Sequence, residues 1–263
     1  MKRKWTVLAV AGMLIIGIAV LLYPAISSAV NRQHGSFAIQ QMQQQLDNMD
    51  SEQMEAALAE AREYNDQLIH DATPDESQYE QILNFGSGIM GYITVEKLDL
   101  KLPIYHGVGT DTLEKGVGHL PSSAFPIGGT GNHTVLTGHT GLPSAKLFTD
   151  LVELTEGDRF QVTVGTHRVE YQVDQILVVL PQETEELMPV SGQDYCTLVT
   201  CTPYGVNSHR LFVRGSRVEQ TEEATTPTDT APEPKQGKNW LWILFVPLFV
   251  LLLIWKRKKG SYD

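Results

Sequence analysis

The chain has 263 residues, 42% of them hydrophobic, with 20 Lys+Arg against 31 Asp+Glu and a formal net charge of −11. Setting aside seven basic residues clustered at the two ends and the terminal Asp263 leaves 13 against 30, near −17, which excludes a nucleic-acid footprint and disfavours docking onto anionic lipid. Two cysteines in the whole chain also exclude a disulfide scaffold.

Two apolar runs frame the chain. Trp5–Val30 follows Lys2-Arg3-Lys4, and Trp240–Trp255 precedes Lys256-Arg257-Lys258-Lys259. A spanning helix takes about 20 apolar residues, with about 17 the lower bound. The first run is ample; the second is near the limit, with Trp residues suited to the interfaces. Basic residues at the outer end of each run place both termini in the cytoplasm and everything between outside. Ser27-Ser28-Ala29 offers a signal-peptide reading of the first run, but the run is long for such a leader. The expected layout is an anchor over 1–30, a helical segment and loop over 31–84, a β domain over 85–218, a disordered stalk over 219–238, a second span over 239–255 and a basic tail over 256–263.

Residues 37–70 are rich in Gln, Met, Ala and Glu and lack Gly and Pro. Met42, Leu46 and Met49 fall at i, i+4, i+7, and Asp50 with Gln53 can cap a second helix carrying Met54, Leu58 and Ala61. These read as a helical spacer standing the following domain off the membrane. His70–Gln81 is polar, with Thr73-Pro74-Asp75 as a turn signal, and reads as a loop. From Gly91 short β-like runs begin: Gly91–Val95, Leu98–Tyr105, His133–Thr137, Phe160–Val164, Val169–Leu180, Cys196–Cys201 and His209–Arg214. Gly, Pro and Asn clusters punctuate them, and Ser144–Leu151 is the best short internal helix. Six to eight strands over this stretch give a mainly β closed barrel or sandwich. Glu219–Lys238 is Thr/Pro/Glu-rich, the composition of a disordered stalk.

The most informative stretch is Tyr195–Gly215, two strands joined by a Pro/Gly/Asn/Ser loop. Cys201 ends the first strand and Arg210 opens the second, which sets a nucleophile at a loop mouth near a permanent cation. Thiolates attack carbonyls, so this arrangement suggests acyl transfer through a thioester. The bland alternative for Cys201 is a small buried hydrophobe. Cys196 lies five residues away, an odd offset that sends it to the opposite face as packing. Arg210 alternates with Phe212 and Arg214, while Leu211 and Val213 share the face that should enter the core. Arginine's fixed donors suit a developing oxyanion, whereas Arg214 and Arg217 read as surface ion pairs, as Arg210 itself could. Candidate bases are His106, His119, His133, His139, His167 and His209. His139 stands out, because Thr134–Pro143 is an apolar strand running into a Gly-flanked loop. No C-x-x-C, H-E-x-x-H, P-loop or Rossmann pattern occurs, so neither a metal nor another cofactor is expected.

Thr197-Leu-Val-Thr-Cys201, followed nine residues on by Arg210 in His-Arg-Leu-Phe-Val-Arg-Gly, resembles the sortase signature, and His139 in Leu-Thr-Gly-His-Thr-Gly matches its histidine. Several further stretches are similar to class C, the pilin-polymerising sortases: Leu102-Pro-Ile-Tyr-His-Gly107, Gly116-Val-Gly-His-Leu120, Gly138–Phe148 and Cys201-Thr-Pro-Tyr-Gly-Val-Asn207. The resemblance implies an eight-stranded barrel and a membrane-bound cysteine transpeptidase acting on pilin or surface proteins. Cys201 would attack the Thr–Gly bond of a Leu-Pro-x-Thr-Gly-like sorting signal, Arg210 would hold the oxyanion and His139 would serve as general acid/base. Thr200 would line the substrate groove, and a pilin lysine amine would resolve the thioester. Class C members usually carry a lid with an Asp-Pro-aromatic triplet; His70–Tyr79 has none, so either the lid is anchored differently or the enzyme is less self-inhibited, with Tyr79 as a plug the less favoured alternative because the preceding proline is missing. Two other readings stay open: the same chemistry with a cell-wall peptide amine as acceptor, and a barrel that binds sorting signals without cutting them.

Overall fold

The structure, a computed structural model, describes residues 2–69, 76–86 and 88–218. The expected stalk, second span and basic tail, and residues 70–75 of the polar loop, lie outside the described residues.

The first helix, α1 (Lys2–Leu46), is one unbroken 45-residue element. Among the described residues it is the one helix long and apolar enough to cross a membrane. It does not stop at the expected boundary near residue 30. From Ser27, near the end of the apolar run, a stripe recurring every three to four residues, Ser27, Asn31, Gly35, Ile39 and Met42, turns toward the β domain. The Ser27 hydroxyl donates to Ser144 O at 3.2 Å and Asn31 Nδ2 to Glu114 O at 3.2 Å. Ile39 and Met42 are buried in the main core. A reciprocal capping box starts α2 (Ser51–Ile69): Gln53 N–H donates to Asp50 Oδ1 at 2.8 Å, and Asp50 N–H to Gln53 Oε1 at 3.0 Å.

Met54, Leu58, Ala61 and Tyr64 of α2 join the same core. Asn65 clamps a loop, accepting from Phe125 N–H at 2.7 Å and donating to Phe125 O at 3.2 Å. The expectation of a spacer is therefore corrected. Apolar side chains at helical spacing on both helices remove more surface from water against the barrel than in isolation, so the helices belong to the domain they were expected to hold away.

Eight strands close into a barrel: β1 (Ile89–Val95), β2 (Leu100–His106), β3 (Val117–His119), β4 (His133–Thr137), β5 (Arg159–Val164), β6 (His167–Val179), β7 (Tyr195–Thr202) and β8 (His209–Arg217), in the order β1-β2-β3-β4-β7-β8-β6-β5. Closure removes both sheet edges, and Ile93 pairs with Leu102 on one side and Val162 on the other. Interior positions are apolar at period two, as in Leu198 on β7 and Leu211 and Val213 on β8. Two pairings are parallel, β2 with β3 and β4 with β7; the first crosses over through α4 (Thr110–Leu113). The short β3 follows Gly116, where a Cβ would lie 2.7 Å from Pro103 O. The helix expected over Ser144–Leu151 is instead a 3-10 turn at Thr149–Glu153. Its first half is committed elsewhere, with Leu142 bridged to Ala145 and Phe148 N–H donating to His139 O at 3.0 Å.

Candidate active site

Three neighbouring strands of the barrel carry the candidate groups. Cys201 and Arg210 are direct partners in the antiparallel β7–β8 ladder, so both side chains project to the same, outer face. β4 runs parallel to β7 with Thr137 opposite Val199. Past the end of β4 the pairing continues: Gly138 N–H donates to Val199 O at 3.0 Å, and the Thr200 hydroxyl donates to Gly138 O at 2.8 Å. His139 is the next residue, so the chain that carries it leaves β4 at the end of β7 that holds Cys201. His139, Cys201 and Arg210 thus lie on three adjacent strand ends at one mouth of the barrel. All three are half-buried.

The loop that carries His139 is fixed by its own contacts. His139 O accepts from Phe148 N–H, and Gly141 N–H donates to Thr149 Oγ1 at 3.1 Å. Gly138 has no room for a side chain, since a Cβ would stand 2.6 Å from the Phe148 ring. Gly141 has φ +72°, and the Tyr204 ring packs over it.

Arg210 is not held by a carboxylate among the described residues; Nη1 donates to Asn207 O at 3.3 Å and His209 O at 3.1 Å within its own loop. Its neighbours differ as the sequence predicts. Arg214 makes a bidentate pair with Asp174 at 3.0 and 3.1 Å, and Arg217 pairs with Asp194 at 3.1 Å. A guanidinium bonded only to carbonyls keeps donors available to an incoming oxygen.

The outer face beside the thiol is apolar. Val135, Val199 and Phe212 form a cluster separate from the barrel core, joined by Leu120, Leu177, Val179 and Leu187. Val199 and Phe212 are one step along the ladder from Cys201 and Arg210 on the same face. Val135, Val199 and Phe212 are themselves buried, so the cluster packs the covered side of the sheet next to the thiol.

The other candidate residues fall into structural roles. Cys196 is fully buried in the core, where burial pushes its thiol well above the ordinary range. His133 bonds Thr197 Oγ1 at 2.7 Å and Met188 O at 3.1 Å, and burial lowers its pKa. His119 lies wholly buried against Tyr79 and Ala124 O, and burial lowers its pKa to about 4. His106 sits between Gly88 O and Ile82 O, His167 against Ile127 O, and His209 against Ser208. Among the described residues, His139 alone of the six has no hydrogen bond to its ring. No cluster of three or more potential metal ligands occurs among the described residues.

Two expectations change. Thr200 is 2% exposed, and its even offset from Leu198 sends its side chain under the sheet rather than into the groove. Its hydroxyl ties β7 to the residue before His139, so here it positions the loop. Tyr79 does not plug the site. It ends a short helix, α3 (Glu76–Tyr79), and is 5% exposed inside the core. There its ring stacks 5.4 Å from Phe125 and its hydroxyl meets His119 Nδ1 at 2.9 Å while accepting from Gly107 N–H at 3.0 Å. With His119 O a third polar partner at 3.1 Å, this phenol is better satisfied there than in an open groove.

Comparison with known proteins bears on this constellation. The Sortase domain family matches residues 93–218. Sortase A of Streptococcus agalactiae serotype III (strain NEM316) is 24% identical over 230 residues, 86% of this chain and 89% of that protein. The crystal structure of sortase C1 from Streptococcus agalactiae is 43% identical, with a TM-score of 0.67, covering 70% of this chain and 98% of that one. A Clostridium perfringens sortase C, solved with its C-terminal cell wall sorting motif, is 36% identical, with a TM-score of 0.64 and coverage of 70% and 100%.

Proposed function

The chain belongs to the sortase family, whose members are cysteine transpeptidases, and on that premise we propose that it is a membrane-anchored pilin polymerase of the class C type. The observation that carries the reading is the side-by-side placement of His139, Cys201 and Arg210 at one barrel mouth, next to an apolar floor. The class C assignment is supported by solved sortase C structures at 36–43% identity.

The Cys201 thiolate attacks the carbonyl carbon of the Thr–Gly bond in a Leu-Pro-x-Thr-Gly-like signal. The carbonyl π pair moves to oxygen, and Arg210 donates to that oxyanion. A preorganised donor at a developing oxyanion is worth about 10²–10³ in rate. His139 gives a proton to the departing glycine amine, which leaves the threonyl acyl group on Sγ as a thioester. The ε-amine of a pilin lysine then attacks, His139 takes its proton, and Sγ departs as thiolate. The thioester conserves the energy of the cleaved amide, so no nucleotide is consumed. Amine outruns water only when it is positioned, because orientation supplies about 7–11 kcal/mol of barrier lowering. The half-buried thiol meets the scissile bond at the barrel mouth, beside the apolar packing of Val199 and Phe212.

A covalent ladder assay tests this reading. The full chain in detergent is mixed with a pilin bearing the signal, alongside Cys201→Ala and Arg210→Ala. A ladder lost in both variants, with unchanged melting temperature, is expected. Cleaved monomer without a ladder would move the acceptor to a cell-wall peptide amine. Signal binding with intact substrate in all forms would replace the enzyme with a binding barrel.

A further inference from the structure

We infer that the catalytic mouth of the barrel faces the membrane and rests on the outer lipid surface, with Tyr204, Val206 and Pro143 as its lipid-contact residues. This rests on the reading of α1 as the membrane anchor.

α1 lies along the barrel from one end to the other. Its residue Ser27 bonds Ser144, five residues past His139, at the catalytic end. Leu46 lies at the far end, where a Cβ on Gly165 of the β5–β6 turn would stand 3.8 Å from its side chain. Nineteen helical residues cover about 28 Å, close to the roughly 26 Å of the eight-residue β7. The helix therefore leaves the bilayer at the catalytic end and climbs the barrel away from it.

The height follows from the same helix. Trp5 and Tyr23, 73% and 55% exposed, are separated by 18 residues, about 27 Å along a helix. That spacing suits aromatic residues at the two faces of a hydrocarbon core about 30 Å thick. Ser27 is one turn beyond Tyr23, about 6 Å, so its partner loop 141–146 sits at headgroup level.

The surface presented there fits that position. The β7–β8 connection exposes Tyr204 (68%) and Val206 (69%), although it directly follows the half-buried Cys201. Tyr204 packs over Gly141 of the His139 loop, which brings it beside the exposed Pro143. Exposed apolar tips beside an aromatic are the composition of an interfacial contact. The charge around it is mixed, with Asp111 and Glu114 set against Arg32 and Lys115, and Lys146 of the same loop paired with Asp150, so net attraction to anionic lipid is small and the contact is apolar. One consequence is that an acyl donor held in the same bilayer by its own apolar tail reaches Cys201 without leaving the membrane.

Depth-dependent fluorescence quenching tests the inference without using transfer chemistry. Full-length chain carrying Cys201→Ala receives a single environment-sensitive probe at Val206→Cys, or at Thr166→Cys in the β5–β6 turn as the far-end control. Each is reconstituted into phosphatidylcholine vesicles containing lipid with a nitroxide near the headgroup end of its chain, and flotation confirms insertion. Quenching at 206 at least about three-fold above that at 166 is expected, since an interfacial face sits about 5–10 Å into the headgroup boundary and the control stands a barrel length away. A probe at Pro143→Cys should repeat the 206 result, and added phosphatidylserine should not raise it. Equal quenching at 206 and 166, or none at 206, would overturn the orientation while leaving the anchor intact. A chain that fails to float would overturn the anchor and the orientation together, and neither outcome touches the proposed chemistry.

Discussion

Replacing Thr200 with valine removes one hydroxyl without opening a cavity and should separate two roles for this residue. The hydroxyl is buried and donates to Gly138 O at 2.8 Å. Without it that carbonyl loses a partner, at a cost of about 1–3 kcal/mol for an unsatisfied buried group. For a domain of this size each kcal/mol lowers the melting temperature by about 2–4 °C, so Thr200→Val should melt about 2–12 °C lower. Gly138 N–H remains bonded to Val199 O, so the end of β4 stays in register and only the following peptide loosens. That peptide carries His139. A displacement of about 1 Å at a catalytic group can cost about 10²-fold, so ladder formation should slow about 10- to 100-fold. Cys201 should be alkylated at the wild-type rate, and Thr200→Ser should restore both stability and transfer. Calorimetry, alkylation kinetics and the ladder assay read the three quantities. A valine variant with unchanged melting temperature and a raised KM would show the hydroxyl meeting substrate directly. One with full transfer would show that the Thr200–Gly138 bond does not position His139.

The thiols should divide sharply: a maleimide should modify Cys201 in the folded chain and Cys196 only after denaturation, by mass spectrometry, because Cys196 is fully buried. Rapid modification of both would refute the assignment of β7 faces. Tyr79→Phe keeps the ring but orphans Gly107 N–H and His119 Nδ1, so urea denaturation should show a loss of about 1–3 kcal/mol and protease should cut sooner near residues 76–86; transfer by the folded fraction should persist, since this ring is not in the groove. His119 is neutral in the fold, with its pKa lowered to about 4 by burial. The unfolded chain therefore binds the proton first, and this group's stabilising contribution is complete above about pH 6.5 and declines toward pH 4, by at most about 3 kcal/mol in all. His119→Gln should remove that part of the pH slope in denaturation measured at pH 7 and 4.5; an unchanged slope would place the titration elsewhere.

Seven of the eight strands were legible as short β-branched and apolar runs bounded by Gly, Pro and Asn clusters, and β4 matches the predicted His133–Thr137 run. The capping box of α2 was legible for a local reason: Asp50 and Gln53 satisfy each other within one turn. β3 was not, since three residues between Gly116 and Leu120 carry no period. The docking of the helices was missed because Met42, Leu46, Met54 and Leu58 show an apolar face without saying what covers it. The stripe did extend upstream through Ser27, Asn31 and Gly35, but small and polar residues at that spacing resemble solvated surface. Tyr79 and Thr200 were misplaced for a related reason. Tyr79 was read from its place in the lid-like stretch and Thr200 from its adjacency to Cys201, while their positions are set by buried hydrogen bonds to Gly107, His119 and Gly138, none of which leaves a pattern in the chain.

The candidate site divides along the same line. Cys201 and Arg210 are nine residues apart across one hairpin, so alternation alone puts them on a common face, and the β7–β8 register agrees. His139 reaches them only through the parallel β4–β7 pairing, which joins residues 62 apart. Parallel strands cannot be joined by a tight turn, and here the intervening chain supplies β5, β6 and the loop that covers the Val199–Phe212 floor. The crossover that delivers the histidine thus also packs over the apolar face beside the thiol. Loosening the β4–β7 seam should therefore disturb acid/base chemistry and peptide binding together, whereas a change confined to the β7–β8 hairpin should act on the thiol and its guanidinium while sparing the histidine.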